Sequence, residues 1–263
     1  MSTLFNPEQL KKLYVPPPNS SKGDNGQVAI IGGSKLFHGA PLLALTVASR
    51  IVDMVFFASP EPSVGRVAEQ IKSKLFSFIW VPWNKTAEYV EKSEAVLIGP
   101  GLMRTFKTRK ITKWFLTRFP DKKWVIDAGS LQMMEPGWIP PGAVLTPNHK
   151  EFKSLFGEAD PEETVRKYKC TVVLKGRETI VFSPEGSVVV KGGNAGLTKG
   201  GSGDVQAGLT VAFFAKNDSF LAASSASYLV KRAGDELYRE VGPNYSADDL
   251  ARALPRVLRQ STS

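Results

Sequence analysis

Gly192-Gly-Asn-Ala-Gly-Leu-Thr-Lys-Gly-Gly-Ser-Gly-Asp204 runs directly into the apolar stretch Val205-Gln-Ala-Gly-Leu-Thr-Val-Ala-Phe-Phe214. Six glycines and an aspartate at the start of an apolar helix are hard to explain as packing. Glycines permit positive φ and let backbone N–H groups come close to a ligand. The helix expected over Asp204–Lys216 adds unpaired donors and a partial positive charge, and together these hold an anion. A carboxylate beside such a site is costly unless it acts. Asp204 can cap the helix, or it can be a general base that takes a hydroxyl proton while that hydroxyl attacks a phosphoryl group. Local chemistry leaves both open. No Gly-Lys-Ser/Thr closes the segment, so it is not a Walker loop.

Outward from this segment the rhythm is strand, glycine turn, helix. Continuous apolar runs at Val28–Ile31, Val55–Ala58, Phe76–Trp80, Ala95–Ile98, Trp124–Asp127 and Ala143–Thr146 suit strands buried on both faces of a parallel sheet. Helices are expected between several of them, over Ala40–Met54, Val64–Lys74, Lys107–Arg118 and His149–Leu155. Gly32-Gly-Ser34 ends the first strand but lacks the G-x-G-x-x-G spacing of a dinucleotide fingerprint. Thr171–Leu174, Thr179–Phe182 and Ser187–Val190 follow one another too closely for helices, so they predict an antiparallel edge. Helices over Phe220–Val241 and Ala247–Gln260 close the chain. The fold class is α/β, a three-layer arrangement with a mostly parallel central sheet and helices on both faces. One domain is expected over residues 1–263, with 1–21 an N-terminal arm that ends at Pro16-Pro-Pro18.

Lys and Arg outnumber Asp and Glu by 34 to 25, a net charge of +9, yet no basic run reaches five residues. The densest stretch, Arg104 to Arg118, reads as the solvated face of a helix. Nucleic acid is therefore not the expected partner, and the positive field suits the steering of anionic small molecules. The single cysteine, Cys170, excludes a disulfide framework. Leu42–Ala58 is interrupted by Arg50 and Asp53, short of the roughly 20 apolar residues of a membrane span. The N-terminus lacks the basic-then-apolar order of a signal peptide. A cytoplasmic protein is expected.

Gly200-Gly-Ser-Gly-Asp-Val-Gln-Ala-Gly208 resembles the GxGD anion-hole motif of the ribokinase-like superfamily. The chain as a whole resembles the NAD(P)H-hydrate dehydratase family within it. Ile30-Ile-Gly-Gly-Ser34, Gly39-Ala-Pro41, Ile98-Gly-Pro-Gly-Leu102, Ile126-Asp-Ala128, Thr146-Pro-Asn-His-Lys-Glu-Phe152, Val173–Thr179 and Gly193–Gly196 match that family's segments in order. The resemblance implies dehydration of the S epimer of NAD(P)H hydrate, a metabolite-repair reaction coupled to an adenine nucleotide. ADP, leaving AMP and phosphate, is favoured as co-substrate, with ATP the alternative and Mg2+ the expected accompanying ion.

By the same resemblance Ala40, Gly101, His149 and Asp204 contact the hydrated cofactor. Lys175, Gly176, Arg177, Glu178, Thr179 and Gly203 contact the nucleotide. Asp204 becomes the catalytic base, and Gly201, Ser202 and Gly203 form the anion hole. Asp127 and Glu151 match family positions, but strand-end and first-turn carboxylates also have ordinary helix-end explanations. His38 is assigned no role. Related enzymes carry a fused epimerase domain; none is expected here, so a separate epimerase would handle the other stereoisomer. A homo-oligomer, a tetramer among the options, is expected. The competing readings are a kinase for hydroxymethylpyrimidine, hydroxyethylthiazole or a sugar, and a non-catalytic nucleotide binder.

Overall fold

Along each central strand, alternate residues enter two different cores. Val28, Ile30, Ala95, Leu97 and Val125 belong to one, and Ala29, Ile31, Val96, Ile98, Trp124 and Ile126 to the other. That division by twos is what a sheet covered on both faces requires. The computed structural model describes residues 2–71, 75 and 77–262. Among them the strands are β1 (Thr3–Leu4), β2 (Gln27–Ile31), β3 (Met54–Ala58), β4 (Ile79–Trp80), β5 (Ala95–Ile98), β6 (Lys123–Ile126), β7 (Val144–Leu145), β8 (Thr171–Leu174), β9 (Thr179–Ser183) and β10 (Gly186–Val190). They form one sheet in the order β1-β10-β9-β8-β7-β6-β5-β2-β3-β4. From β8 to β4 the pairs are parallel, and β8-β9-β10 is antiparallel, as the short spacing predicts.

The helices are α1 (Gly39–Ala48), α2 (Pro62–Ile71), α3 (Thr86–Lys92), α4 (Phe106–Arg118), α5 (Ala128–Met133), α6 (His149–Phe156), α7 (Pro161–Tyr168), α8 (Ser202–Lys216), α9 (Ser219–Val241) and α10 (Ala247–Thr262). The core on the α1, α8, α9 and α10 side is built around α8, which buries twelve of its fifteen residues. A helix apolar on every side has to lie inside. Gly208 allows this closeness, since a Cβ there would stand 2.4 Å from the Ala44 carbonyl of α1.

Several expected boundaries shift. Helix α1 ends at Ala48 rather than Met54 because Ser49 caps it and a turn leads into β3. The helix expected over Val64–Lys74 is α2, with residues 72–74 outside the described residues. Phe76, which opens the expected strand Phe76–Trp80, also lies outside them. Helices α3, α5 and α7 were not expected, nor was β1, where the N-terminal arm pairs parallel with β10 and becomes the sheet edge.

Strands β2, β3 and β4 run outward to one side, whereas β5 lies on the other side of β2. The strand order therefore reverses between β2 and β5, and in open α/β sheets ligands gather beyond the carboxyl ends at such a point. The glycine turns Gly32–Gly33 and Gly99–Gly101 sit there, tied by a Gly33 N–H bond of 2.8 Å to the Pro100 carbonyl.

Candidate active site

The carboxyl ends of β6, β7 and β8 deliver Asp127, Thr146 and Lys175 to one point. Asp127 is buried. Its Oδ1 accepts from Thr146 Oγ1 at 2.7 Å and from Lys175 Nζ at 3.0 Å. The backbone is constrained around it. A Cβ on Gly99 would stand 1.8 Å from the Asp127 carbonyl, and one on Gly129 would stand 2.0 Å from that of Leu102. Ala128 takes φ 45°, a left-handed conformation that a non-glycine residue adopts at a cost of about 1–3 kcal/mol. Asp127 is the N-cap residue of α5 by position, but its side chain makes no cap bond. Its carboxylate faces the lysine instead.

Asp204 comes from the opposite wall. The N-cap of α8 is Gly201, at φ 98° and without a side-chain cap bond, so Asp204 sits inside the first turn rather than capping it. A Cβ on Gly201 would meet Leu43 at 2.5 Å and Ala247 at 2.8 Å, which fixes this turn against α1 and α10. Lys175 Nζ lies 3.5 Å from where a Gly203 Cβ would be, placing the ammonium over the first turn of α8. Burial, and then the negative charge of Asp127, push the Asp204 carboxyl up to about 7, with Lys175 pulling the other way. Burial disfavours the Lys175 ammonium, but Asp127, Glu151 and Asp204 outweigh it and hold the lysine above its ordinary range.

A cleft of about 1100 Å³ opens between these walls. Of the residues singled out in the sequence it brings together Lys175, Gly176, Arg177, Thr179, Gly201, Ser202, Gly203 and Asp204. Glu178 turns outward, 3.9 Å from Lys191. His149 is the first residue of α6, and its Nε2 lies 3.1 Å from where a Cβ on Gly176 would stand, so the ring abuts the Lys175–Thr179 turn. Asn148 and Glu151 form a capping box at the same helix start, the ordinary role open to Glu151 from the sequence. Ala40 and Gly101 lie apart from the cleft lining, at the strand-order reversal. A Cβ on Gly101 would stand 2.2 Å from the Phe37 carbonyl and 3.0 Å from Pro41 Cδ, so the two segments are packed into one corner.

The sequence reading missed Thr146 as a partner of Asp127, and it missed α9 altogether as a source of polar groups. Gln206 Nε2 donates to Ser227 Oγ at 2.8 Å, and Lys231 and Asp235 bond to the loops that border the cleft. The only available signal was a lysine and an aspartate four residues apart, falling among the apolar positions of a helix that also carries Arg232, Glu236, Arg239 and Glu240.

With the geometry in place, the family model described as NAD(P)H-hydrate dehydratase matches residues 28–256, spanning every segment of the site. The chain belongs to the NAD(P)H-hydrate dehydratase family. Among its curated relatives it is 38% identical over 260 residues to the bifunctional NAD(P)H-hydrate repair enzyme of Methanocaldococcus jannaschii, covering 95% of this chain and 51% of that one. It thus spans about half the length of that relative. The ADP-dependent (S)-NAD(P)H-hydrate dehydratase of Cenarchaeum symbiosum is 29% identical over 267 residues, with 92% and 91% of the two chains covered. The Bacillus subtilis ADP/ATP-dependent NAD(P)H-hydrate dehydratase, co-crystallised with ATP/Mg2+, has the same fold, with TM-score 0.83, 24% identity and 99% of both chains covered. A ribokinase-like superfamily protein from Enterococcus faecalis superposes at TM-score 0.88 with 22% identity, over 99% of this chain and 96% of that one. The family's α/β architecture is therefore the one this sheet adopts.

Proposed function

We propose that this chain is a nucleotide-dependent (S)-NAD(P)H-hydrate dehydratase acting as one domain, with ADP the preferred co-substrate and ATP the alternative. The observation that carries the reading is Asp204: a withdrawn carboxyl at about 7, beside Lys175 and the glycine turn of α8, in a cleft of about 1100 Å³. A relative named for ADP and the S epimer supports the donor and the stereochemistry.

The reaction begins with the ring hydroxyl of the hydrate. Asp204 takes the hydroxyl proton as the oxygen attacks the terminal phosphorus of the nucleotide. The bond from that phosphorus to its bridging oxygen breaks, and AMP leaves when ADP is the donor. Backbone N–H groups of Gly201, Ser202 and Gly203 stabilise the charge redistributed over the phosphoryl oxygens, with Lys175 beside them. The ring nitrogen lone pair then expels phosphate as the C–O bond breaks. An adjacent ring carbon then gives up its proton to the departing phosphate, which leaves as hydrogen phosphate, and the dihydropyridine is restored.

Among the described residues no three His, Cys, Asp or Glu side chains converge into a metal cage. Asp127 and Glu151 line the cleft but are already bonded, to Lys175 and Thr146 and to Asn148 and Gln132 respectively. The donor set fits Mg2+ carried on the nucleotide's phosphates, its usual mode, where it neutralises phosphate charge. No helix among the described residues is long and apolar enough to cross a membrane. The proposed setting is the cytoplasm, with an epimerase activity converting the other stereoisomer.

The test is a coupled assay on purified protein with acid-generated NADH hydrate, magnesium and either ADP or ATP. Dihydronicotinamide absorbance returning in step with phosphate release is the expected result. A stable phosphoester without recovered absorbance would replace the dehydratase with a kinase. In the same assay, His149→Ala is expected to raise KM for the hydrate more than KM for the nucleotide. Equal rises in both would reduce His149 to a support for the Gly176 turn.

A further inference from the structure

Helix α9 buries a lysine among its apolar residues. Lys231 is 7% exposed, and an ammonium is almost never buried without partners to hold it. Its Nζ donates to the Arg177 carbonyl at 2.7 Å and to the Gly192 carbonyl at 3.0 Å. Those carbonyls belong to different segments, the Lys175–Thr179 turn and the entrance of the glycine-rich segment, and both segments line the cleft.

One helical turn further on, Asp235 extends the same attachment. Its carboxylate accepts from Gly193 N at 3.0 Å and from Asn194 Nδ2 at 3.1 Å. Asn194 Oδ1 in turn accepts from Gly196 N at 2.9 Å and from the Tyr245 hydroxyl at 2.7 Å. Gly193 has φ 81°, and a Cβ there would stand 3.3 Å from Lys231 Cγ, so the backbone lies directly on the lysine stem. Asp235 thus anchors one loop, whereas Lys231 bonds to both.

We propose that Lys231 is a positioning residue of the nucleotide cleft: its buried ammonium ties the Arg177 turn to the Gly192 turn and sets their separation before a nucleotide arrives. The proposal rests on the nucleotide-dependent reading above. A loop pair held at a fixed separation has less ordering left to do when ligand binds, and that saving appears as affinity. Hydrate binding, which the reading assigns to Ala40, Gly101, His149 and Asp204, uses neither loop carbonyl.

The experiment is titration calorimetry of ADP and of ATP on the full chain, together with steady-state kinetics, for wild type and Lys231→Met. Methionine keeps an unbranched stem without the charge. The expected result is a nucleotide Kd weakened by about tenfold or more, the scale of one hydrogen bond to a charged group. KM for the nucleotide should rise in parallel while KM for NADH hydrate stays where it was. Lys231→Gln, which keeps a donor for one carbonyl, should fall between. Unchanged nucleotide affinity in Lys231→Met, or equal weakening toward both substrates, overturns the proposal. If the methionine variant does not fold, Lys231→Gln carries the comparison, and wild-type nucleotide affinity there overturns it equally. A wild-type protein that binds neither nucleotide removes the parent reading, and that outcome differs from wild-type binding matched by the variant.

Discussion

Asp204→Asn is expected to lower kcat by a factor of about 10²–10⁴, the range for removal of a general base, while making the protein more stable in alkaline solution. The two effects have one cause. Burial and the neighbouring Asp127 raise the Asp204 carboxyl from its ordinary value of 3.8 to about 7. Between those values the folded protein binds a proton that the unfolded chain does not. Stability therefore falls as pH rises through that window, and above it the ionised carboxylate stands as a net cost to the fold. Asparagine has nearly the same shape and removes the cost. Thermal melts should show Asp204→Asn above wild type at pH 8, with the difference fading toward pH 4. Wild-type kcat should climb as pH rises through about 7, because only the ionised carboxylate accepts the hydroxyl proton, and the residual rate of the variant should lack that limb. A helix cap would behave differently, keeping turnover and changing stability little, because asparagine caps a helix about as well as aspartate. Near-normal kcat in Asp204→Asn would remove the base from the mechanism.

The sheet was readable because its strands are buried on both faces. Ala95–Ile98 and Thr171–Leu174 are unbroken apolar or β-branched runs, and in the fold every one of these residues is buried. The antiparallel edge was readable from chain length alone, since the few residues between Leu174 and Thr179 leave room only for a turn. What failed to show had no pattern to show it. Thr3–Leu4 is two residues long and becomes a strand only because β10 offers an open edge. Helix α5 hides behind Asp127-Ala-Gly-Ser130, whose composition is that of a loop. Its start is imposed by contacts from Gly99 and Leu102 that no local rule contains.

The site divides the same way. Asp204 stands out because a carboxylate at the start of an apolar helix, after six glycines, contradicts local expectation. Lys175 and Asp127 look ordinary alone, being 48 residues apart, and acquire meaning only when parallel strands bring their ends together. Lys231 is hidden for a related reason. Periodicity assigns α9 an apolar face, and the lysine falls on that face with nothing in the sequence to name its two carbonyl partners.

Opposite substitutions in the Lys175–Asp127 pair should move the Asp204 titration in opposite directions. Lys175 is the positive neighbour that draws the Asp204 carboxyl down, and Asp127 is the negative one that pushes it up. Lys175→Met should therefore displace the rising limb of the pH–rate profile to higher pH, and Asp127→Asn should displace it to lower pH. Stability should separate the partners too. The Asp127 side chain is 4% exposed and that of Lys175 is 20% exposed, so neither is rescued by water when the other is removed. Lys175→Met leaves a buried carboxylate with Thr146 as its remaining side-chain donor, and a loss of about 3–5 kcal/mol is expected from breaking such a pair. Asp127→Asn keeps an acceptor for Thr146 and leaves Lys175 facing Glu151 and Asp204, which still favour its charge, so its loss should be smaller. Combining the two changes should restore part of what Lys175→Met loses, because no uncompensated carboxylate is then left at that position. Denaturant titrations of the two single variants and the double variant would measure the coupling. A double variant no more stable than Lys175→Met, with neither limb displaced, would show that the pair is scaffolding and that Asp204 takes its pKa from burial alone.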